Sequence, residues 1–91
     1  MTFDALISAF DELAGLLRRS EESLYAQRTP AQAASAITRE IDSLTRAQTF
    51  ADYDELRLLF APTGALQEIA IDNGWGEAFL RIAAIWEENE R

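Results

Sequence analysis

Apolar residues recur at every third or fourth position through most of this chain, which is the spacing of helices buried along one face. In the first stretch these positions are Phe3, Leu6, Ile7, Phe10, Leu13, Ala14, Leu17, Leu24 and Tyr25. The spacing predicts a first helix from about Phe3 to Ala26 or Gln27, with Thr2 as its N-cap. No segment alternates apolar and polar residues as a half-buried strand would.

Capping signals divide the middle of the chain into two further helices. Thr29 and Gln32 flank Pro30 in the pattern of a capping box, so a second helix is predicted from Pro30 to between Arg46 and Gln48. Asp52 followed by Glu55 repeats the pattern, and a third helix is predicted from Thr49 or Asp52 until Pro62 and Gly64 interrupt it.

The last third of the chain predicts two more helical segments. Thr63 is placed to cap a short fourth helix, and Asn73-Gly74-Trp75-Gly76 is typical of a turn at a helix end. The final helix is predicted from Trp75 or Glu77 to Glu88, with Glu77 and Arg81 as an i, i+4 ion pair. We therefore expect an all-α fold, a bundle of four to five helices with short loops and no sheet, forming one domain over residues 1–91.

The chain has no His, no Cys and no Lys, so all eight positive side chains are Arg. This composition removes the near-neutral proton carrier, the soft and amine nucleophiles and most transition-metal ligands. We expect a protein that is not an enzyme and that has no cofactor and no metal.

Sixteen Asp and Glu against eight Arg give a net charge of −8. A field of that sign repels nucleic acid and anionic membranes, so we expect neither as a partner and favour a basic protein instead. The same acidity also serves solubility alone. With no signal-peptide pattern and no disulfide framework, a cytoplasmic location is expected.

Glu21 is the residue with most chemical interest. It lies four residues after Leu17 and three before Leu24, on or beside the apolar stripe of the first predicted helix. A carboxylate held there would have a raised pKa and act as an acid or base, if the helix buries it rather than turning it to solvent. Asp52, Asp54 and Glu55 lack the ligand order and central Gly of a calcium loop, which indicates a solvated helix start.

Four apolar side chains are the candidates for an interaction surface. Leu16, Leu58 and Leu80 each lie off the main stripe of their predicted helix, as the residues of a second apolar face would. Trp86, near the end of the chain, either fills the core or is a partly exposed binding anchor.

Two segments, Leu16-Leu17-Arg18-Arg19-Ser20-Glu21-Glu22 and the stretch from Leu58 to Glu68, carry a resemblance. They resemble the LLR-x-x-GE and Phe-Gly-Gly-Met-Gly-Ser segments of a family of small bacterial all-helical proteins, a domain of unknown function. This chain has Ser20 in place of a Gly, no Trp after it, and Ala61-Pro62-Thr63 before Gly64. The resemblance implies a compact helical fold and names no site.

Three functional hypotheses follow from the sequence. The first is a small acidic protein-binding module without catalysis, one version of which is an immunity- or antitoxin-like protein that neutralises a basic partner. The second is a self-assembling homodimer joined through the off-stripe leucines. The third is an enzyme that uses Glu21 as its acid or base.

Overall fold

Five helices and the short connections between them make up the part of the chain that the computed structural model describes, residues 3–23, 26–62 and 64–90. They are α1 (Asp4–Arg18), α2 (Pro30–Ala47), α3 (Tyr53–Phe60), α4 (Ala65–Asp72) and α5 (Gly76–Asn89). No strand occurs in these ranges, so the all-α prediction is confirmed. Helix α1 packs along α2 and against α5, and α4 contacts α2, α3 and α5.

Helix α2 begins as its sequence predicts. The Thr29 hydroxyl accepts a hydrogen bond from the Gln32 backbone N–H at 3.1 Å, and the Thr29 N–H donates to Gln32 Oε1 at 2.9 Å. This reciprocal pair satisfies two of the donors that a helix start leaves without partners. Asp52 makes half of this pattern at α3: its carboxylate accepts from the Glu55 N–H at 3.0 Å, while the Glu55 side chain pairs with Arg28.

Helix α1 is shorter than predicted, because it ends at Arg18 rather than at Ala26 or Gln27. The Ser20 hydroxyl donates to the Leu16 carbonyl at 2.7 Å, and the Arg19 N–H also donates to that carbonyl. A serine that bonds back to the backbone competes with helix continuation. Leu24 and Tyr25, which extended the apolar spacing, and the predicted caps Thr2 and Thr63 lie outside the described residues.

The turn between α4 and α5 is the one that the Asn73–Gly76 sequence predicts. Gly74 has φ of +80°, a conformation that costs a residue with a Cβ much more than it costs Gly. The Trp75 N–H donates to the Ala70 carbonyl at 2.9 Å across this turn. The chain therefore turns within a few residues, and α5 contacts the helix that precedes it.

One cluster of buried side chains joins all five helices. Helix α1 contributes Leu6, Phe10, Leu13 and Leu17, which are fully buried as their spacing predicts. Aromatic rings continue this core toward α3 and α5, where Phe60 stacks on Phe10 with ring centroids 6.0 Å apart. The Phe60 ring also stacks on Trp86 of α5 at 5.3 Å. The aromatic part of the core thus holds α3 against α5.

Candidate functional site

The surface between α3 and α5 forms an open groove of about 590 Å³. On its α3 side, Leu56 and Leu59 are buried in the core, whereas Arg57 and Leu58 between them are exposed. The residues that line the groove include Phe60, Trp86, Leu58 and Pro62. We call this feature the α3–α5 groove.

Leu58 is the most unusual side chain of the α3–α5 groove, because it is apolar and yet 65% exposed. A second, smaller concavity of about 210 Å³ lies on its other side and is lined by Arg28 and Gly64. Leu58 therefore projects between two hollows rather than covering the core. Exposed single leucines are common on protein surfaces, but one between two concavities is well placed to contact a partner.

Charged side chains border the α3–α5 groove. Asp54 and Arg57 come from α3, and Glu87 and Glu90 come from the end of α5. Arg57 Nε lies 3.8 Å from Glu90 Oε1. Among the described residues, Glu90 is the only one of these three carboxylates that has an Arg partner. Three carboxylates and one guanidinium leave the border with a net negative charge, which favours a cationic ligand over an anionic one.

The structure does not bring the four predicted apolar candidates to one surface. Leu58 and Trp86 both line the α3–α5 groove, but Trp86 is only 2% exposed and is not the exposed anchor that was one alternative for it. Three aromatic rings, those of Phe50, Tyr53 and Phe60, pack against the Trp86 ring. Leu16 is partly buried against the core, because α1 packs between α2 and α5. Leu80 is 67% exposed on α5 and does not line the groove.

Ile71 is a third exposed large apolar residue that the sequence reasoning did not single out. It follows Ile69 and Ala70, which are both buried in α4. Because the three residues form a continuous apolar run, the sequence does not show which of them is exposed. Only the register of this short helix distinguishes it, and that register is set by packing.

Glu21 was predicted on or beside the apolar stripe of the first helix, with burial and exposure to solvent as the alternatives for its side chain, and exposure is the one observed. Helix α1 ends three residues before it, and the Glu21 side chain is exposed. Its backbone is held instead: the Glu21 N–H donates to Asn73 Oδ1 at 2.8 Å, and Asn73 Nδ2 donates to the Glu21 carbonyl at 2.9 Å. The desolvation on which an acid–base role for Glu21 depends is not present at this position.

Three neighbouring contacts complete the attachment of the segment after α1 to the end of α4. Trp75 Nε1 donates to the Ser20 hydroxyl at 2.9 Å, and the Ser23 hydroxyl donates to the Asp72 carboxylate. Asn73 Nδ2 also donates to the Ile69 carbonyl at 3.0 Å, which fixes the side chain against its own helix. We call this set of hydrogen bonds around Asn73 the Asn73 clamp.

The buried carboxylate of the described chain is that of Glu40, not Glu21. Glu40 is 2% exposed, and its two oxygens accept hydrogen bonds from the backbone N–H groups of Ala51 and Asp52, both at 2.8 Å. These N–H groups precede α3, so the carboxylate fixes the connection from α2 to α3. The arrangement occupies both oxygens and indicates a structural role. Its signal in the sequence is the position three residues after Ile37 and four before Leu44.

A second ion pair ties the connection before α2 to α3. The Arg28 guanidinium donates two hydrogen bonds to the Glu55 carboxylate, one of them from Nη2 to Oε2 at 2.7 Å. These hydrogen bonds raise the pKa of Arg28 above its ordinary value, against a smaller opposing effect of burial. This two-pronged pair orients α3, the helix that presents Leu58.

Arg81 pairs across helices rather than with Glu77, which the i, i+4 spacing had predicted. Its two terminal nitrogens donate to the Glu12 carboxylate of α1 at 2.9 and 2.6 Å. A flat guanidinium matches both oxygens of one carboxylate, and this geometry outcompetes a flexible pairing along the helix. The pair joins α1 to α5 at the surface.

We expect the Arg81→Gln variant to raise the pKa of Glu12. The hydrogen bond from Arg81 lowers that pKa from its ordinary value of 4.5 and outweighs the opposing effect of burial, with the positive charge of Arg81 adding a smaller decrease. Because the pKa is lower in the folded chain, the stabilisation by this pair is present above about pH 4.5 and is lost as the pH falls through the folded value.

Carbon-13 NMR titration of the Glu12 carboxyl group measures this effect. Arg46→Gln is the matched control, since Arg46 pairs with Asp42 at 2.7 Å on α2 and does not contact Glu12. An unchanged pKa of Glu12 in Arg81→Gln would contradict the pairing.

No three Asp or Glu side chains within residues 3–23, 26–62 and 64–90 lie close enough together to hold a metal ion. Within the same ranges, no helix combines the length and the apolar character needed to cross a bilayer. Comparison of the chain with models of protein families, with curated proteins and with solved structures finds no match. The features of the described residues that bear on function are therefore the α3–α5 groove and the exposed carboxylates.

Proposed function

We propose that this chain is a non-catalytic protein-binding domain that recognises a basic partner protein. The observation that carries the proposal is the exposure of thirteen of its sixteen carboxylates. Ion pairs within the described residues engage three of these thirteen, those of Glu12, Asp42 and Glu90. The remaining negative surface is available to a cationic partner.

A surface of this kind acts through charge complementarity. Exposed carboxylates steer a basic protein during encounter and raise its association rate, and they repel acidic competitors. One concrete form of the proposal is an immunity- or antitoxin-like protein that covers the cationic site of a basic enzyme. The net charge of −8 and the small size of the chain support this form.

Affinity purification from the native host, with the chain as bait, tests the proposal. We expect a basic protein to be retained, and we expect the dissociation constant of the purified pair to rise as salt increases from about 50 to 500 mM, because screening shortens the range of the attraction. Recovery of the chain alone at every salt concentration, or of a partner whose affinity does not depend on salt, would count against a basic partner.

A homodimer is the second candidate, and the exposure of Leu58 and Leu80 favours it. Either leucine, on its own helix, would supply the apolar part of a self-complementary interface. Size-exclusion chromatography with light scattering decides this point, and a strict monomer at high micromolar concentration would rule the homodimer out.

A further inference from the structure

We propose that the α3–α5 groove is the docking site for the partner, and that its occupant is a basic amphipathic segment of another protein. In this arrangement an apolar side chain of the segment packs over Leu58 and the exposed part of Phe60, and Lys or Arg side chains reach Asp54 and Glu87. The inference rests on the proposed function and adds its location and the chemistry of the contact.

Leu58 supplies an exposed apolar side chain at the edge of the groove. Leu58 is 65% exposed, and the partly buried ring of Phe60 lines the same groove. Covering an exposed Leu side chain removes apolar area from water and favours association. Aromatic side chains in the centre of a contact are also those that contribute most to affinity.

Asp54 and Glu87 supply negative charge to the groove. Both are exposed carboxylates at the border of the groove, and neither has an Arg partner among the described residues, whereas Glu90 has Arg57. A cationic side chain placed beside each of them gains a partner that the chain itself does not supply. The groove thus offers apolar and anionic groups side by side, which is the complement of a basic amphipathic segment.

The same charges argue against a second copy of this chain as the occupant. In a symmetric dimer through this groove, Asp54 and Glu87 of one copy would approach the same residues of the other copy. Like charges brought together in an interface disfavour that pairing. A partner segment of opposite charge meets no such repulsion.

The first experiment measures binding of synthetic peptides to the full chain by isothermal titration calorimetry. The probe is a peptide with Leu and Lys at the spacing of an amphipathic helix. One comparison peptide has Glu in place of Lys, and another has Ser in place of Leu. We expect the Leu–Lys peptide to bind and both comparison peptides to bind much more weakly, because each lacks one half of the complement.

Matched charge variants locate the site of binding. Asp54→Asn with Glu87→Gln removes two negative charges at the groove, and Asp11→Asn with Glu77→Gln removes two from exposed positions that do not line it. We expect the groove pair to raise the dissociation constant about fivefold to tenfold, and the control pair less than about twofold at physiological salt, because distant charges are screened.

Matched leucine variants test the apolar contact. Leu58→Ser is expected to weaken peptide binding about tenfold, in the range of a central contact residue, whereas Leu80→Ser should leave it unchanged. Both leucines are exposed to a similar degree, 65% and 67%, so neither change removes a core side chain. Circular dichroism melting curves of both variants are the control for folding.

Several outcomes would overturn the groove proposal. Equal weakening by both charge pairs would mean diffuse attraction by the whole acidic surface, which removes the groove but leaves the proposed function in place. Failure of the Leu–Lys peptide to bind, or equal binding of the Leu–Glu peptide, would reject the stated occupant. A dimer of the wild-type chain that Leu58→Ser dissociates would assign the groove to a second copy. Failure of the proposed function is seen separately, in the salt dependence of the partner recovered from the host.

Discussion

The Trp86→Ala variant is expected to lose about 3–5 kcal/mol of unfolding free energy, because a large buried aromatic side chain is replaced by a cavity. Trp86 is 2% exposed, and its ring contacts those of Phe50, Tyr53 and Phe60 at centroid distances of 5.7, 5.6 and 5.3 Å. Its removal leaves three aromatic rings without a shared neighbour. For a domain of this size, the loss is a large part of the total stability.

Urea denaturation followed by circular dichroism measures this loss without relying on the tryptophan signal. Leu80→Ala is the matched control on the same helix, since Leu80 is 67% exposed, and we expect a change within about 0.5 kcal/mol. A loss below about 1 kcal/mol for Trp86→Ala would mean that the ring does not hold α3 against α5 as described.

The second large effect is expected at Glu40. In Glu40→Ala the N–H groups of Ala51 and Asp52 lose both of their acceptors, and we expect a loss of about 3 kcal/mol, since hydrogen bonds to charged groups are stronger than neutral ones. In Glu40→Gln one oxygen is replaced by an amide nitrogen that cannot accept, so a smaller loss of about 2 kcal/mol is expected.

Asp42→Asn provides the control for Glu40, because Asp42 is an exposed carboxylate on the same helix and pairs with Arg46. Removal of an exposed ion pair is expected to cost less than about 1 kcal/mol. Equal stability of Glu40→Gln and the wild-type chain would show that the carboxylate does not fix the connection before α3.

Local signals in the sequence predict most of the helical architecture. Thr29, Gln32 and Asp52 form the caps that their positions predict, since a cap depends on residues within one turn. The end of α1 is different, because the local hydrogen bond from Ser20 to Leu16 is accompanied by contacts of Ser20 and Glu21 with Trp75 and Asn73, more than fifty residues away in the chain. No local pattern reports such a contact, so the apolar spacing was extended past the true end of the helix.

Contacts between distant parts of the chain also explain why the sequence favoured Glu21 rather than Glu40 as the carboxylate of interest. Glu21 and Glu40 both lie three or four residues from apolar neighbours, and the spacing alone favours neither. The two residues differ in whether they lie within a helix and in which groups their carboxylates contact. Glu40 is inside α2 and faces two N–H groups of the following connection, whereas Glu21 follows the end of α1. Burial of a single polar residue is thus a property of tertiary packing rather than of the helix that carries it.

The sequence did not predict the groove, although two of its lining residues were among the candidates for an interaction surface. Leu58 was recognised from its place off the apolar stripe, and Trp86 from its size and position near the end of the chain. The rest of the groove could not be predicted, because Glu87 and Glu90 approach Asp54 and Arg57 only when α5 packs beside α3. The pairing of Arg81 with Glu12 in place of Glu77 has the same origin.

The Asn73 clamp also bears on how the chain folds. It joins Asn73 to Glu21, 52 residues apart in sequence, and Trp75 to Ser20, 55 residues apart. Closing a loop of this length costs chain entropy before any hydrogen bond repays it, whereas α1 and α2 are neighbours in sequence and pair at lower cost. We therefore expect the clamp to form after α1 and α2 have paired, because the contacts between these two helices close shorter loops.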